Sequence, residues 1–466
     1  MIDRVHISGL IQSYDHVLAR GLPADGTEGA AIPAHEKINR LSQVAITLRQ
    51  DSNRPDLDVF NPGRHGRRML LRWLIGMREE LSRFDATHFE DFIWRNLFAR
   101  TLHADDFNTV VKAEFRIARV PWKSVQYHAL LTHKLGFVMY PKLDTSDFDF
   151  MIAETPYPGI VSPNTHLIVR YHDAIPLLMP HTIANKVIHQ ATHYHALRSN
   201  VKHGAFFACV SEATRRDLIS IFPEVAARSI TIHNMVSHHY HPEDSSPARV
   251  PEIVRTRLND GIKATGKETA GINVENSKNV QPFDYLLIVS TIEPRKNHTT
   301  LLAAWEHLRA DQYPNLKLVV VGMLGWDHEP ILKKLRPWIE REQLFVLEDV
   351  PSPELRVLYK HALATVCPSY GEGFDYSGVE AMRCGGAVVA SDIPVHHEIY
   401  GDAAEFFSPY STAELVTAID AVISPNAHPR RSELIAKGAV VSSQYLPEKI
   451  LPQWQDMLQT RLNLHV

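Results

Sequence analysis

No apolar run in this chain approaches the length of about 20 residues that a bilayer-spanning helix needs. Its first residues, Met1-Ile-Asp-Arg-Val-His-Ile, lack the basic-then-apolar layout of a secretory signal. Cysteine is scarce: Cys209, Cys367 and Cys384 are the three in 466 residues. So few, so scattered and odd in number, they exclude a disulfide framework and fit buried thiols in a reducing compartment. Charge is nearly balanced at −4, so no overall basic field points to nucleic acid. Repeats and low-complexity tracts are missing too. These absences predict a soluble cytoplasmic protein, at most peripheral to the inner face of the cytoplasmic membrane.

Apolar residues, at 44%, suffice for two or three domains, each with its own core. Locally, Arg64, Arg67, Arg68 and Arg72 interleave with Met69, Leu70, Leu71, Trp73 and Leu74. That pattern predicts a short basic amphipathic helix. Two readings stand: an ordinary solvated face, or a contact with anionic lipid headgroups.

Residues 1–147 are largely helical in pattern and diverge from the rest of the chain, with one candidate strand at 42–48. Short apolar strands then appear at 148–153, 167–171, 205–210 and 230–232, separated by helical segments at 183–197 and 212–221. Strands alternating with helices predict a parallel sheet covered on both faces. The regularity lapses over 246–282, rich in Gly, Pro, Ser and Asn, which reads as a linker or surface insertion with one helix near 253–258. It resumes with strands at 285–289, 316–321, 344–347, 364–367, 387–390 and 405–407 and helices between them. The expected organisation is an N-terminal domain (1–245), the 246–282 linker and a C-terminal doubly wound domain (283–445). An amphipathic helix at 446–466 returns to complete the first domain. The fold class is α/β.

Ligands of doubly wound sheets gather outside the carboxyl ends of the strands, and two constellations fall there. One is Ser290-Thr-Ile-Glu-Pro-Arg-Lys-Asn-His-Thr299, which follows a strand and opens a helix. Arg295 offers a planar fork and Lys296 a point charge, and together they suit a diphosphate. The plainer alternative makes them solvated charges of a first helical turn. The other is Pro368-Ser-Tyr-Gly-Glu-Gly-Phe-Asp-Tyr-Ser-Gly-Val-Glu-Ala-Met-Arg-Cys-Gly385. It sets Glu372 in a glycine turn and Glu380 in the helix behind, with backbone N–H groups of Gly373, Phe374, Asp375, Tyr376 and Ser377 between. Those donors could stabilise the charge of a departing nucleoside diphosphate. Glu372 would accept from sugar hydroxyls and Glu380 from a ribose diol, unless Glu380 merely caps or pairs within its helix.

Together these residues resemble the retaining nucleotide-sugar glycosyltransferases of the GT-B fold, family 4 (group 1). The matching pieces include Ser290 to Asn297, Val319-Val-Val-Gly322, Glu348-Asp-Val and the Glu372/Glu380 segment. Ala390-Ser-Asp-Ile-Pro-Val-His-His-Glu-Ile also matches. Upstream, Arg170-Tyr-His-Asp-Ala-Ile-Pro176 and Cys209-Val-Ser-Glu-Ala-Thr-Arg-Arg-Asp-Leu218 extend the likeness. The resemblance implies two Rossmann-like domains, with the acceptor on the first and the donor on the second. It implies donor-diphosphate contacts from Arg295 and Lys296, a sugar contact from Glu372 and a ribose contact from Glu380. His172 would lie near the transferred sugar, while Asp173 braces its loop or helps the acceptor. A bare His172 would otherwise read as a structural histidine.

Two features depart from the family. Its initial strand and glycine-rich loop have no signature in residues 1–50. Asp375-Tyr376-Ser377 replace its frequent Gly-Leu-Pro, which bears on donor-sugar choice. The motifs are closest in flavour to mannosyltransferases of bacterial surface polysaccharides. The expected reaction is thus metal-independent transfer of mannose from GDP-mannose, with retention and no cofactor. The acceptor would be a saccharide or a polyprenyl-diphosphate-linked saccharide. Clusters His189/His193/His195 and His238/His239/His241 lack the further ligand and bracing a zinc site needs. Alternatives are a catalytically idle sugar-binding or assembly protein and a sugar-nucleotide epimerase of similar fold.

Overall fold

A computed structural model describes residues 8–12, 62–84, 90–99, 104–118, 120–259 and 282–463. The chain divides into two compact units, Met1–Val169 with Ala191–Phe206, and Arg170–Gln190 with Phe207–Val466. Among the described residues no helix is long and apolar enough to cross a membrane.

In the smaller unit, strand Ser8–Gln12 runs parallel to Glu114–Ala118, which pairs antiparallel with Ser82–Phe84. Glu79–Glu80 pairs with Leu143–Asp144, and Phe150–Ala153 with the start of His166–Tyr171, both parallel. Residues 1–147 therefore hold more strand than their sequence pattern suggests. Short strands carrying Arg116 or paired glutamates show no clean alternation, because burial of their charges depends on partners outside the local pattern. One such partner is the Leu81 carbonyl, which accepts from Arg116 at 3.3 Å, and Glu79 pairs with Arg68 and Arg72. A strand at 42–48 lies outside the described residues, whereas one at Ser8–Gln12 is present. Helix Pro62–Leu74 buries Met69 in a cluster with Val125, Ala129, Met139, Tyr140 and Ala196.

The larger unit pairs residues 207–209 with Ser229–Thr231 in one sheet and holds six parallel strands in another. These are β1 (Tyr285–Val289), β2 (Lys317–Val321), β3 (Leu344–Leu347), β4 (Ala364–Cys367), β5 (Val388–Ser391) and β6 (Ala404–Phe407). They lie in the order β3-β2-β1-β4-β5-β6, the doubly wound arrangement whose order reverses beside β1. Successive residues feed opposite cores, since side chains alternate across a strand. Leu287, Val319, Val388 and Ala390 join one cluster with Val357, Val379 and Ile399. Leu286, Ile288, Val320 and Val389 join the other with Leu301, Trp305, Leu335 and Ile419. Burial on both faces is why these strands read as continuous apolar runs. Trp305 is fully buried, and its indole N–H still donates to the Leu316 carbonyl at 3.1 Å.

Within the stretch anticipated as a linker, Arg249–Thr256 is a helix. Its Val250, Ile253 and Val254 are buried in the first cluster, as their spacing on one helical face requires. Residues 260–281 lie outside the described set. The C-terminal helix Pro447–Asn463 belongs to the larger unit, where Trp454 lies 5.3 Å from the guanidinium of Arg170.

Candidate functional site

Backbone sterics bring the site together at the carboxyl ends of the strands. Gly322, just past β2, has φ 155°, and a Cβ there would stand 2.0 Å from the carbonyl oxygen of Ser290. A Cβ on Gly373 would stand 1.7 Å from the carbonyl of His172, so only glycine lets this loop close on that strand end. Between them, Pro294–Lys296 forms a single tight turn and Asn297 takes a left-handed conformation at φ 57°. The Asn297 amide donates to the carbonyls of Pro368 (3.0 Å) and Pro409 (2.9 Å), tying three loops together. Tyr370 N–H donates to the Arg295 carbonyl at 3.0 Å.

Side chains then converge on Glu372. The Arg295 Nη1 lies 2.7 Å from Glu372 Oε2 and the Lys296 Nζ 2.6 Å from Oε1. Arg295 also donates to the Gly371 carbonyl at 2.8 Å and, through Nε, to Glu293 Oε1 at 3.1 Å. Burial opposes ionisation of Glu372, but Lys296 and Arg295 outweigh it and hold the carboxyl below its usual range. Glu293, 1% exposed, is displaced the other way because burial wins over its cations. Two cations and two carboxylates thus form one largely buried, near-neutral network.

Glu380 meets the reverse. Burial pushes it up to about 7, against the hydrogen bonds of Tyr359 and Tyr240. The Tyr359 hydroxyl donates to Oε2 at 2.9 Å. Asp375 N-caps helix Tyr376–Arg383, its Oδ1 accepting from Ser377 N–H (3.1 Å) and hydroxyl (2.6 Å). Its Oδ2 lies 3.2 Å from Nε2 of the fully buried His396. Burial alone would raise Asp375; His396, Lys296 and Ser377 bring it below its usual range instead.

The sequence-predicted residues divide accordingly. Arg295, Lys296, Glu372 and Gly373 come together with the backbone of His172. The His172 side chain is exposed, and Asp173 accepts from Ile175 N–H at 2.9 Å while burial raises its pKa. Phe374 is buried beside Tyr376 and Tyr445, with ring centroids 5.2 and 5.3 Å away. Tyr376 is 45% exposed. Sequence reasoning gave no role to Glu293, His396, Tyr359 or Tyr240. Glu293 stood inside the first motif and His396 inside the matching segment 390–399, so both were within reach; Tyr359 and Tyr240 meet the site only through folding. His238 pairs with Glu448 at 2.7 Å, and among the described residues no group of three His, Cys, Asp or Glu side chains is placed to hold a metal ion.

Residues 273–439 match the family of "Glycosyl transferases group 1". The chain is 35% identical over 153 residues to the serotype-specific mannosyltransferase WbdA of Escherichia coli, covering 32% of this chain and 18% of that protein. It is 25% identical over 276 residues to the O-antigen chain mannosyltransferase RfbU of Salmonella typhimurium strain LT2, covering 59% and 70%. The chain therefore spans under a fifth of the first relative and about two thirds of the second. Among solved structures, the sucrose-phosphate synthase of Thermosynechococcus elongatus superposes with a TM-score of 0.54 at 14% identity, over 76% of this chain and 84% of that one. That likeness bears on fold alone, and the fold is GT-B.

Proposed function

From a GT-B chain whose residues 273–439 match the group 1 glycosyltransferases, we propose that this protein transfers a hexose from a nucleoside diphosphate to a saccharide hydroxyl. Mannose from GDP-mannose is the proposed donor, supported by the likeness to WbdA and RfbU, both mannosyltransferases. The acceptor is a saccharide, free or polyprenyl-diphosphate-linked, in surface polysaccharide assembly. The observation that carries this reading is the convergence of Arg295 and Lys296 on Glu372. Here Glu372 occupies the place of a diphosphate: an anion with two oxygens, each facing one cation. An arriving donor takes over both cations, and the released Glu372 accepts hydrogen bonds from hydroxyls of the sugar. Glu380 receives the ribose diol. Asp375, engaged by Ser377 and His396, positions the loop rather than touching the sugar.

Glu372 is engaged by Arg295 and Lys296 and is no obvious covalent nucleophile, so the proposed transfer follows a same-face route. The anomeric carbon–phosphate oxygen bond breaks with its electron pair going to the diphosphate. The acceptor oxygen bonds to the same face, and its proton passes to the departing phosphate. Arg295 and Lys296 stabilise the growing charge. His172, at the end of its strand, lies on the sugar side. A donor screen measuring released GDP, UDP or ADP, with NMR of the product's anomeric configuration, tests the reading. An inverted product or a glycosyl adduct trapped on Glu372 contradicts it.

We also propose that helix Pro62–Leu74 rests on anionic bilayers. The support is more apolar than the arginines alone suggested, since Arg68 and Arg72 pair with Glu79 at 3.3 and 2.8 Å. Leu71, Leu74 and Ile75 remain 60%, 65% and 59% exposed, beside the exposed Arg67. Such a surface suits the headgroup–acyl boundary. Flotation with vesicles containing phosphatidylglycerol should fall at least five-fold for Leu71→Ser/Leu74→Ser; unchanged flotation removes the proposal.

A further inference from the structure

Two segments that carry the family likeness, 209–218 and 390–399, stand outside the grip of Arg295 and Lys296. Folding sets them against each other. Helix Glu212–Ile221 begins in the first, and helix Pro394–Tyr400 lies across the second.

The first turn of a helix leaves backbone N–H groups without partners and favours an anion. Ser211 caps helix Glu212–Ile221, its Oγ accepting from Thr214 N–H at 3.1 Å. The Glu212 carboxylate is turned elsewhere, to the Thr231 hydroxyl at 2.7 Å and the Arg215 guanidinium at 3.2 Å. The N–H groups of Glu212 and Ala213 go instead to Glu398, 186 residues beyond Glu212 in sequence. Glu212 donates to Oε1 at 2.6 Å and Ala213 to Oε2 at 2.8 Å. Nε2 of His233 lies 2.8 Å from the same Oε1. Burial opposes ionisation of Glu398, but His233 and the two amides outweigh it and hold the carboxyl below its usual range.

The turn that Glu398 holds touches both sides of the candidate site. From it, Thr214 Oγ1 lies 3.4 Å from the carbonyls of both His172 and Gly373, and it receives the Ser211 hydroxyl at 2.9 Å. Thr214 thus sits where the glycine loop closes on the strand end. Helix Pro394–Tyr400 is a firm base, with Val395, Ile399 and Tyr400 buried. It reaches the same loop a second way, through His396 at 3.2 Å from Asp375 and the Tyr400 hydroxyl at 3.4 Å from the Asp375 carbonyl. A cap serving one helix alone would need neither contact.

We propose that Glu398 is a positioning residue for transfer. By holding the first turn of helix Glu212–Ile221 it fixes, through Thr214, the loop of Glu372 and Gly373 against the strand end of His172. Glu398 itself touches no reacting atom. Its effect on turnover rests on the transferase reading, whereas the mechanical tie does not.

The test is hydrogen exchange by mass spectrometry on the full chain, read over 212–216 and 371–377. Glu398→Gln replaces one acceptor oxygen by an NH2 group, and exchange should rise about five-fold over both segments. Thr214→Val removes only the hydroxyl and should loosen 371–377 alone. At 371–377 the double variant should match the more affected single variant, since both act in one chain of contacts. Arg216→Ala, an exposed charge on the same helix, should behave as wild type. In turnover, Glu398→Gln and Thr214→Val should each lower kcat about ten-fold while the donor KM stays within about two-fold. Glu398→Asp, which keeps the charge, should recover part of that loss. Exchange that rises over 212–216 alone in Glu398→Gln, additive effects in the double variant, or an unchanged kcat overturns the proposal. If Glu398→Gln does not fold, Thr214→Val decides, and wild-type exchange over 371–377 in that variant overturns it. If exchange behaves as described yet no nucleotide sugar is turned over, the tie stands and the transferase reading fails.

Discussion

Glu372 and Glu380, eight residues apart in one loop-and-helix segment, meet opposite surroundings. Both are partly buried, and that burial alone would raise the pKa of each. Around Glu372, Arg295 and Lys296 overcome burial and keep it ionised. Around Glu380 the neighbours are phenols, which soften the cost of burial without cancelling it, and the carboxyl sits near neutral pH. Glu372 is therefore bound up with the anion-binding cations, while Glu380 answers to hydroxyl groups. Under the proposed function, one stands in for phosphate and the other accepts from a diol.

The contrast between the two carboxyls depends most heavily on Arg295. Arg295→Ala removes the fork from Glu372 and from the departing phosphate, and should lower kcat/KM by about 10³-fold. Steady-state kinetics beside a melting curve separate that loss from misfolding. Near-wild-type turnover would end the assignment of this side as the phosphate grip.

Next in size is the pair behind Glu372. His396→Leu leaves Asp375 buried without its 3.2 Å partner, and should destabilise the fold by about 3–5 kcal/mol. Asp375→Asn/His396→Leu, with no charge stranded, should recover part of that loss in chemical denaturation. Equal losses for single and double variants would show that the two do not act as a unit.

The smallest effect belongs to Glu380. Its folded pKa of about 7 lies above the ordinary glutamate value of 4.5. The folded state therefore binds more protons between those limits, and stability falls as pH rises from about 4.5 to about 7. The drop should be on the order of 3 kcal/mol, and Glu380→Gln should lack it. Donor affinity runs the other way, rising through pH 7 as the carboxylate able to accept from a diol forms. A wild type and Glu380→Gln with parallel stability profiles would contradict this.

The six strands of the large sheet are legible in the sequence because both their faces are buried, so apolar residues run on without interruption. Arg295, Lys296, Glu372 and Glu380 are visible since each sits just beyond such a strand or in the helix after it. The residues that escape notice depend on contacts distant along the chain. Nothing near Asp375 reveals that His396 lies against it, and nothing near Glu380 reveals Tyr240. The smaller unit is least legible. Its strands are two to six residues long, and some carry charges whose partners come from other elements. Helix Arg249–Thr256 is obscured by the Gly, Pro and Ser around it, though its apolar spacing is present.

If Glu372 holds the place of the donor diphosphate between Arg295 and Lys296, removing its charge must free both cations for phosphate. Calorimetric binding of GDP, which lacks the transferred hexose that Glu372 would contact, tests this in wild type and Glu372→Gln. With the competing carboxylate neutralised, GDP affinity should be about ten-fold higher in the variant, on the order of 1.4 kcal/mol, while transfer from GDP-mannose falls. GDP binding that is unchanged or weaker in a folded Glu372→Gln protein would contradict it.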